Sequence, residues 1–314
     1  MKMTLQDLRL FLQIAKSGSL SAAARLFDLS PAAASASLKR LEAELAAPLF
    51  VRSTRSLRLT PEGETFLQYC RQGMQWLDEG RDVVATGRGL VRGQFLLSVP
   101  SDLGRNVLPE WMNDFQTRFP DLRLRLQATD RLSDLFREPV DAALRYGAPS
   151  DSSMVALPLA ATNVRILCAA PAYLERTGPI ERPEDLPGHN CLCFVLGDDI
   201  HNRWRFHRDG SACVIDVRGD RISDDGDIVR RWALAGIGIA CKSALDVADD
   251  LIAGRLVALC QSWQGEPTPL NLICADRRQL TTTIRELRQH LSVRCDARLA
   301  ALSTYLQRTG VAAH

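Results

Sequence analysis

Apolar residues recur at helical spacing through the first ninety positions and then give way to short apolar runs. Leu5, Leu8, Leu12 and Ala15, flanked by Phe11, share one face of a predicted first helix capped by Thr4. Ser17-Gly18 ends it, because glycine takes the left-handed position after a helix cheaply. Ser19 caps a second helix through Leu26, with Ala22, Ala23 and Leu26 turned to the first. Asp28-Leu29 is a tight turn into Ser30-Pro31, a good N-cap followed by a residue whose missing N–H costs nothing there. Ala34, Leu38, Leu41 and Leu45 then form one narrow apolar stripe at i, i+4, i+7 and i+11. The opposite face begins with Ala32, Ala33, Ser35 and Ala36 and carries Lys39 and Arg40 one turn later.

Methyls and hydroxyls let a helix press close to another surface, and paired cations suit phosphates or guanine edges. The Ser30–Leu45 stretch therefore has what the major groove asks of a recognition helix, and helix, helix, turn, small-faced helix is the order of a helix-turn-helix. A core helix with a solvated back would carry the same stripe, so the neighbouring segments decide. After a reversal at Ala46 to Pro48, LFVRSTRSLRL alternates loosely, predicting two short strands with Arg52, Arg55 and Arg58 at a wing. Cationic wing tips are placed to touch the phosphate backbone or a minor groove. Thr60-Pro61-Glu62 starts a long helix in which Phe66, Cys70, Gly73, Leu77 and Val84 lie close to a heptad seam, ending near Gly87 and Gly89. Such a stripe cannot bury itself, and a two-chain coiled coil covers it; docking on the chain's own C-terminal half is the other solution.

From Gln94 the texture is that of a mostly parallel α/β sheet, short apolar runs alternating with helical patterns. Strands are predicted at Phe95–Val99, Leu122–Ala128, Asp141–Arg145, Val164–Ala170 and Arg255–Leu259, and at Pro269–Ala275 ahead of a helix from Leu280 to about Val293. The run from Val164 opens a second subdomain, and Pro269 returns the chain to the first.

Charge sharpens this division. The chain of 314 residues has a net charge of only +2, yet before Thr60 nine lysines and arginines face four acids. A basic front end on a near-neutral body suggests a polyanion-binding module joined to something else. With 46% hydrophobic and 24% charged residues, the composition is that of a globular protein with sizeable cores. MKMTLQDL shows no signal-peptide apolar core and no run reaches membrane-spanning length, which predicts a cytoplasmic protein with no membrane partner. Nine scattered cysteines suit a reducing compartment.

The N-terminal residues resemble the LysR-type transcriptional regulators. The resemblance is carried by Phe11, Ala15, Ser17-Gly18-Ser19, Ala22-Ala23, Leu26, Leu29-Ser30, Ala33, Ser35, Leu41-Glu42, Leu49-Phe50, Arg52 and Leu59-Thr60-x-Glu62-Gly63. Ala36 and Ser37 depart from the Arg/Lys and Gln of many members, and Ala47 stands where glycine is usual. The resemblance implies a winged helix-turn-helix, a dimerising linker helix and a two-lobed, periplasmic-binding-protein-like effector domain. The expected domains are 1–60, 61–90 and 91–310, with one lobe at about 91–162 and 266–295 and the other at about 163–265. Double-stranded operator DNA, a small-molecule effector (an organic acid among the options), a homodimer or homotetramer, and RNA polymerase for an activator are the implied partners. With Ala36 and Ser37 too short for long-range base reading, Ser30, Ala32, Ala33, Ser35, Ala36, Lys39 and Arg40 would lean on shape, water and methyl contacts.

In two-lobed α/β folds the ligand sits in the cleft, against strand ends and helix starts. That selects Ser101 and Asp102, Thr129 with Asp130, Arg145 and Tyr146, Ser223, Asp224 and Asp225 with Asp227, and Lys242; each taken alone reads first as an ordinary cap, and together their strand-end placement favours a pocket. Three aspartates in one loop suit a hydroxylated or amine-bearing ligand better than a purely anionic one, unless they serve as caps.

Competing chemistry is thinly supported. His189, Cys191, Cys193 and the nearby His201 lack a zinc knuckle, so ordinary buried thiols are favoured and no metal or cofactor is expected. Redox switching would need an exposed, low-pKa thiol with a resolving partner. GIGIA precedes a strand and is no dinucleotide fingerprint, and no nucleophile–base set names an enzyme. A stand-alone solute-binding protein would share the C-terminal fold but not the basic winged front.

Overall fold

The computed structural model describes residues 3–52, 57–86, 90–130, 140–147, 154–196, 199–274 and 280–310. The chain divides into two compact units, Met1–Leu90 and Val91–His314.

The first unit runs α1 (Leu5–Ser17), α2 (Leu20–Leu26), α3 (Pro31–Leu45), β1 (Phe50–Arg52), β2 (Leu57–Leu59) and α4 (Pro61–Thr86). Thr4, Ser19 and Ser30 cap the first three helices through their side-chain oxygens, and Gly18 takes φ 64° behind α1. The strands pair antiparallel, Phe50 opposite Leu59, to form the wing; Arg55 lies outside the described residues.

The core gathers Leu10, Phe11, Ile14, Ala23, Ala24, Ala34, Leu38, Leu41, Leu49 and Phe50, with the Phe11 ring 5.6 Å from Phe50 and 5.2 Å from Phe66. The buried arc of α1 is rotated from the expected one. Leu10, Phe11, Ile14 and Asp7 are inside, Leu5 is exposed, and Leu8, Leu12 and Ala15 are half-buried. This helix packs against α2, α3 and α4 together, so its inner arc is set by where three partners lie rather than by its own stripe. Leu26, expected to face α1, is 66% exposed, and Ala24 fills that place.

The second unit begins with β3 (Gly93–Val99), α5 (Ser101–Asn106), α6 (Leu108–Arg118), β4 (Leu122–Ala128), β5 (Ala142–Tyr146) and β6 (Val155–Ala160). After β7 (Arg165–Ala169) come β8 (Cys191–Leu196), β9 (Asp199–Ile200), β10 (Arg203–Arg208), β11 (Ser211–Asp216) and β12 (Ile222–Ser223). The chain then forms the helix Gly226–Leu234, β13 (Ile239–Ser243), the helix Ala244–Ile252, β14 (Val257–Ala258), β15 (Gln264–Gly265), β16 (Leu270–Cys274) and the helix Thr282–Gly310.

Two sheets define two lobes. The first has strand order β4-β3-β5-β16-β6, with β3 parallel to β4 and β5 and the returning β16 antiparallel to β5 and β6. The second, β12-β8-β13-β7-β14, repeats that plan with β7 antiparallel to β13. The two crossovers between lobes meet in a Val164–Pro267 bridge.

Three departures from the sequence expectations stand out. The segment Arg203–Asp216 is a hairpin whose Trp204 and Phe206 alternate into the second lobe's core. The strand expected over Arg255–Leu259 is only Val257–Ala258. The last helix continues past Val293 to Gly310, with Ile284, Leu287, Leu291 and Cys295 in the first lobe's core and Leu302 in the second's.

Candidate functional site

In the first unit the exposed face of α3 presents Ala32, Ala33, Ala36, Lys39 and Arg40, with Ser30 exposed at its start and Ser35 half-buried. Ser30 is engaged as the cap, its Oγ accepting from the Ala33 N–H at 3.1 Å. Ser37 lies on the other side: it is buried and donates to Asp7 Oδ1. The Arg40 guanidinium also reaches that carboxylate, at 2.5 Å. Arg40 is therefore not purely a solvent-face cation, as the stripe suggested; it helps hold α3 to α1. Burial works against ionising Asp7, but hydrogen bonds from Ser37, Arg40 and Thr4 outweigh it and bring its pKa down to about 2. Lys39 and Arg58 are exposed.

The linker helix splits into two groups of apolar residues. Phe66 and Cys70 pack into the core of their own unit, with the Cys70 thiol 3.8 Å from the Leu8 carbonyl oxygen, so they do not belong to a free seam. Tyr69, Trp76, Leu77 (54% exposed) and Val84 (88% exposed) stand out from it. A Cβ added at Gly73 or Gly80 would meet nothing within 4 Å in the single chain.

In the second unit several of the side chains expected around the cleft bond from lobe to lobe, Lys242 with Asp102 and the others with residues outside the expected set. Lys242, 4% exposed on the second lobe, places Nζ 2.6 Å from Asp102 Oδ2 on the first. Its ammonium also donates to the Gly226 carbonyl at 2.8 Å. Tyr146 donates to Asp246 at 2.6 Å, again from first lobe to second. Arg105 grips both oxygens of Asp225 at 2.8 and 2.7 Å, and Asn106 donates to Asp227 at 2.7 Å. Asp130 accepts from the Ser101 N–H and, across the gap, from the Gly226 N–H, each at 2.8 Å. Burial pushes the Asp102 carboxyl up to about 7, against the pull of Lys242 and with Asp246 adding to the rise.

The remaining expected residues serve the scaffold. Asp225 caps the helix Gly226–Leu234, accepting from the Asp227 and Ile228 N–H groups, and Ser223 Oγ accepts from the Asp225 N–H. Asp224 is exposed, and the Thr129 N–H donates to the Val99 carbonyl. Arg145 was expected to offer a cation to the cleft. It is buried and donates to the Leu144 carbonyl and to Ser98 Oγ, both within its own lobe. A cavity of about 1090 Å³ lies elsewhere in this unit, beside the crossovers, lined by Thr162, Val164, Trp263, Gln264, Leu299 and Leu302 among others.

The thiols give redox switching no footing. Eight of the nine are buried and the ninth, Cys213, sits against Glu184. Burial pushes Cys191 and Cys241 up to about 12 and Cys70 up to about 11, the reverse of an activated thiolate. His201 is paired with Glu266 and His189 faces the Tyr173 hydroxyl; among the described residues no His, Cys, Asp and Glu group is arranged to hold a metal.

Two family models match this chain: the lysR-family bacterial regulatory helix-turn-helix over residues 5–64 and the LysR substrate binding domain over residues 88–296. The chain belongs to the LysR family. It is a DNA-binding transcriptional regulator with an effector-binding domain, and LysR-type regulators bind operators and small molecules and form oligomers. The HTH-type transcriptional regulator DmlR of Escherichia coli K12 is 30% identical over 294 residues, 92% of this chain and 94% of that one. The probable regulator LtrA of Klebsiella pneumoniae is 32% identical, covering 83% and 84%. The solved structure of CrgA, a LysR-type regulator from Neisseria meningitidis, is 26% identical and covers 97% of this chain and 99% of its own, with a TM-score of 0.55. No described helix of this LysR regulator is long and apolar enough to cross a membrane.

Sequence reasoning named Asp130 and Asp227 only as members of their loops and missed Arg105, Asn106 and Asp246. Arg105 and Asn106 were within reach, since they sit three and four residues beyond Asp102 on one helix turn. Asp227 and Asp246 are helix-start carboxylates that only the juxtaposition of lobes turns into bridges.

Proposed function

We propose that this regulator lays α3 into the major groove of a two-fold operator and is switched by a small molecule acting on the cleft between its lobes. The observation that carries the DNA reading is the exposed face Ala32, Ala33, Ala36 and Lys39, small residues and a cation on a capped helix followed by a wing. It permits close approach of the helix backbone, with methyl and water contacts rather than long side chains reading bases. Lys39 and Arg58 take phosphates in this reading, and the chain works in the cytoplasm, contacting RNA polymerase if it activates.

The test is a titration against the DNA fragments that the purified protein itself selects. Lys39→Ala and Arg58→Ala should each weaken binding to all sequences alike and lower the salt slope by about one. An unchanged slope in both variants overturns the assigned face. Arg40→Ala should differ by also lowering the stability of the first unit, because buried Asp7 loses its cation. Asp7 is held below its ordinary pKa of 3.8. Its contribution is therefore present above about pH 4 and lost as pH falls toward 2.

Assembly follows from the exposed residues of α4. Pairing of linker helices through Tyr69, Trp76, Leu77 and Val84 gives a dimer suited to a two-fold operator, with a tetramer if effector units also pair. Leu77→Asp should reduce the mass measured by light scattering; an unchanged mass would place the interface elsewhere.

A further inference from the structure

The cleft of this regulator is already occupied by one of its own carboxylates. Asp130, at the end of β4, accepts from three donors: the Ser101 N–H, the Ser101 hydroxyl and the Gly226 N–H. Ser101 belongs to the first lobe and Gly226 to the second, so a single carboxylate closes the gap between them. The site is narrow by construction. A Cβ at Gly226 would stand 3.1 Å from Lys242 Nζ and 3.6 Å from both Asp130 Oδ2 and Ser101 Oγ. Lys242 brings a buried ammonium to the same place, donating to the Gly226 carbonyl. Two backbone N–H groups, a hydroxyl and a nearby cation are the set of donors that a small organic acid requires.

We infer that Asp130 is a built-in surrogate for a carboxylate effector, holding the lobes together in its absence. The inference rests on the reading of the cleft as the regulatory site. A tethered carboxylate acts at an effective concentration of at least the millimolar order, so a free acid competes poorly with it. The regulator would then stand closed by default. Its response would come from whatever pulls Asp130 out, not from a simple acid filling an empty cradle.

Chemical rescue tests this in the full chain. Asp130→Ala removes the surrogate and leaves its donors facing a vacant space of carboxylate size. Melting is followed in sodium acetate against sodium chloride of equal ionic strength, with acetamide as the neutral control. Acetate should raise the melting temperature of Asp130→Ala saturably, leave the parent unmoved, and lose its effect in the Asp130→Ala, Ser101→Ala double variant; acetamide should do nothing. Equal acetate responses in parent and variant, as binding in the cavity beside the crossovers would produce, overturn the inference, as does no response in either.

Should Asp130→Ala fail to fold, Asp130→Asn keeps the shape. It should speed hydrogen exchange at the Ser101 and Gly226 amides on the order of tenfold, since a charged acceptor is replaced by a neutral one; unchanged exchange overturns the inference. Arg105→Ala, which breaks a different bridge, separates the two readings by the same exchange measurement. If it loosens the cleft amides while acetate fails to rescue Asp130→Ala, only the surrogate is lost. If neither substitution affects those amides, the cleft reading falls as well.

Discussion

Replacing Lys242 by methionine should lower the melting temperature of the second unit on the order of 10 °C at pH 8, and by much less at pH 5. The side chain is buried, pairs with Asp102 at 2.6 Å across the lobes and stands 4.0 Å from Asp246. Removing one partner of such a pair leaves a charge with no compensation, at a cost of about 3–5 kcal/mol. In a domain of this size each kcal/mol moves the midpoint by roughly 2–4 °C. Burial already pushes Asp102 up to about 7, and loss of the ammonium takes away the main influence pulling it down. A carboxyl whose folded pKa lies above its ordinary value of 3.8 is most compatible with folding below that value. It costs progressively more as pH rises through the folded pKa. The penalty of the substitution should therefore grow from about pH 4 upward. Calorimetric scans across that range decide it, and a penalty independent of pH would mean that Asp102 is not the group left stranded.

Gly63→Ala should unseat the linker helix from the wing and abolish DNA retention at temperatures the parent tolerates, with the second unit's melting unmoved. A Cβ at this position would fall 2.0 Å from the Leu49 carbonyl oxygen and 2.9 Å from its carbon. No rotamer relieves a clash with backbone, so the first turn of α4 must move away. Three bonds are strained together by that movement: Thr60 N–H to Leu49 at 3.0 Å, Thr60 Oγ to the Pro48 carbonyl at 2.6 Å and Gly63 N–H to Thr60 Oγ at 2.9 Å. At about 1 kcal/mol for each, before the steric cost, the change is large against the stability of a small unit. Gly80→Ala is the contrast. Its Cβ meets nothing in the single chain, so the usual helix propensity should apply and leave the unit unharmed or slightly more stable. Retention on immobilised DNA during a temperature ramp reads both variants, and equal behaviour of the two would refute the packing argument.

The elements of the first unit were legible because their ends are chemically marked. Thr4, Ser19, Ser30-Pro31, Gly18 and Thr60-Pro61 each satisfy or relieve backbone groups within three or four residues, so capping needs no knowledge of the rest of the chain. The stripe of α3 was legible for the same reason, with Ala34, Leu38 and Leu41 buried at helical spacing. Short apolar runs likewise announced β3, β4, β5, β7 and β16. The hairpin at Arg203–Asp216 escaped because its inward residues, Trp204 and Phe206, alternate with arginines in too short a span to stand out from a solvated loop.

By itself the sequence determined the order of elements, the helix ends, the exposed small-residue face of α3 and the basic front, all properties of residues near one another in the chain. Only the tertiary structure decided which apolar faces were spare. Phe66 and Cys70 sit on the same stripe as Leu77 and Val84, and their periodicity is indifferent to whether another part of the unit already covers them. It alone decided, too, that Arg40 and Ser37 serve Asp7 thirty-three and thirty residues away, that Asp130 and Tyr146 meet partners 96 and 100 residues off, and that Lys242 meets Asp102 from 140 residues away. A charged side chain looks the same in sequence whether it awaits a ligand or is already satisfied. The difference lies in burial, which makes an unpaired charge too costly to keep and so drives each of these groups to a distant partner that no local pattern encodes.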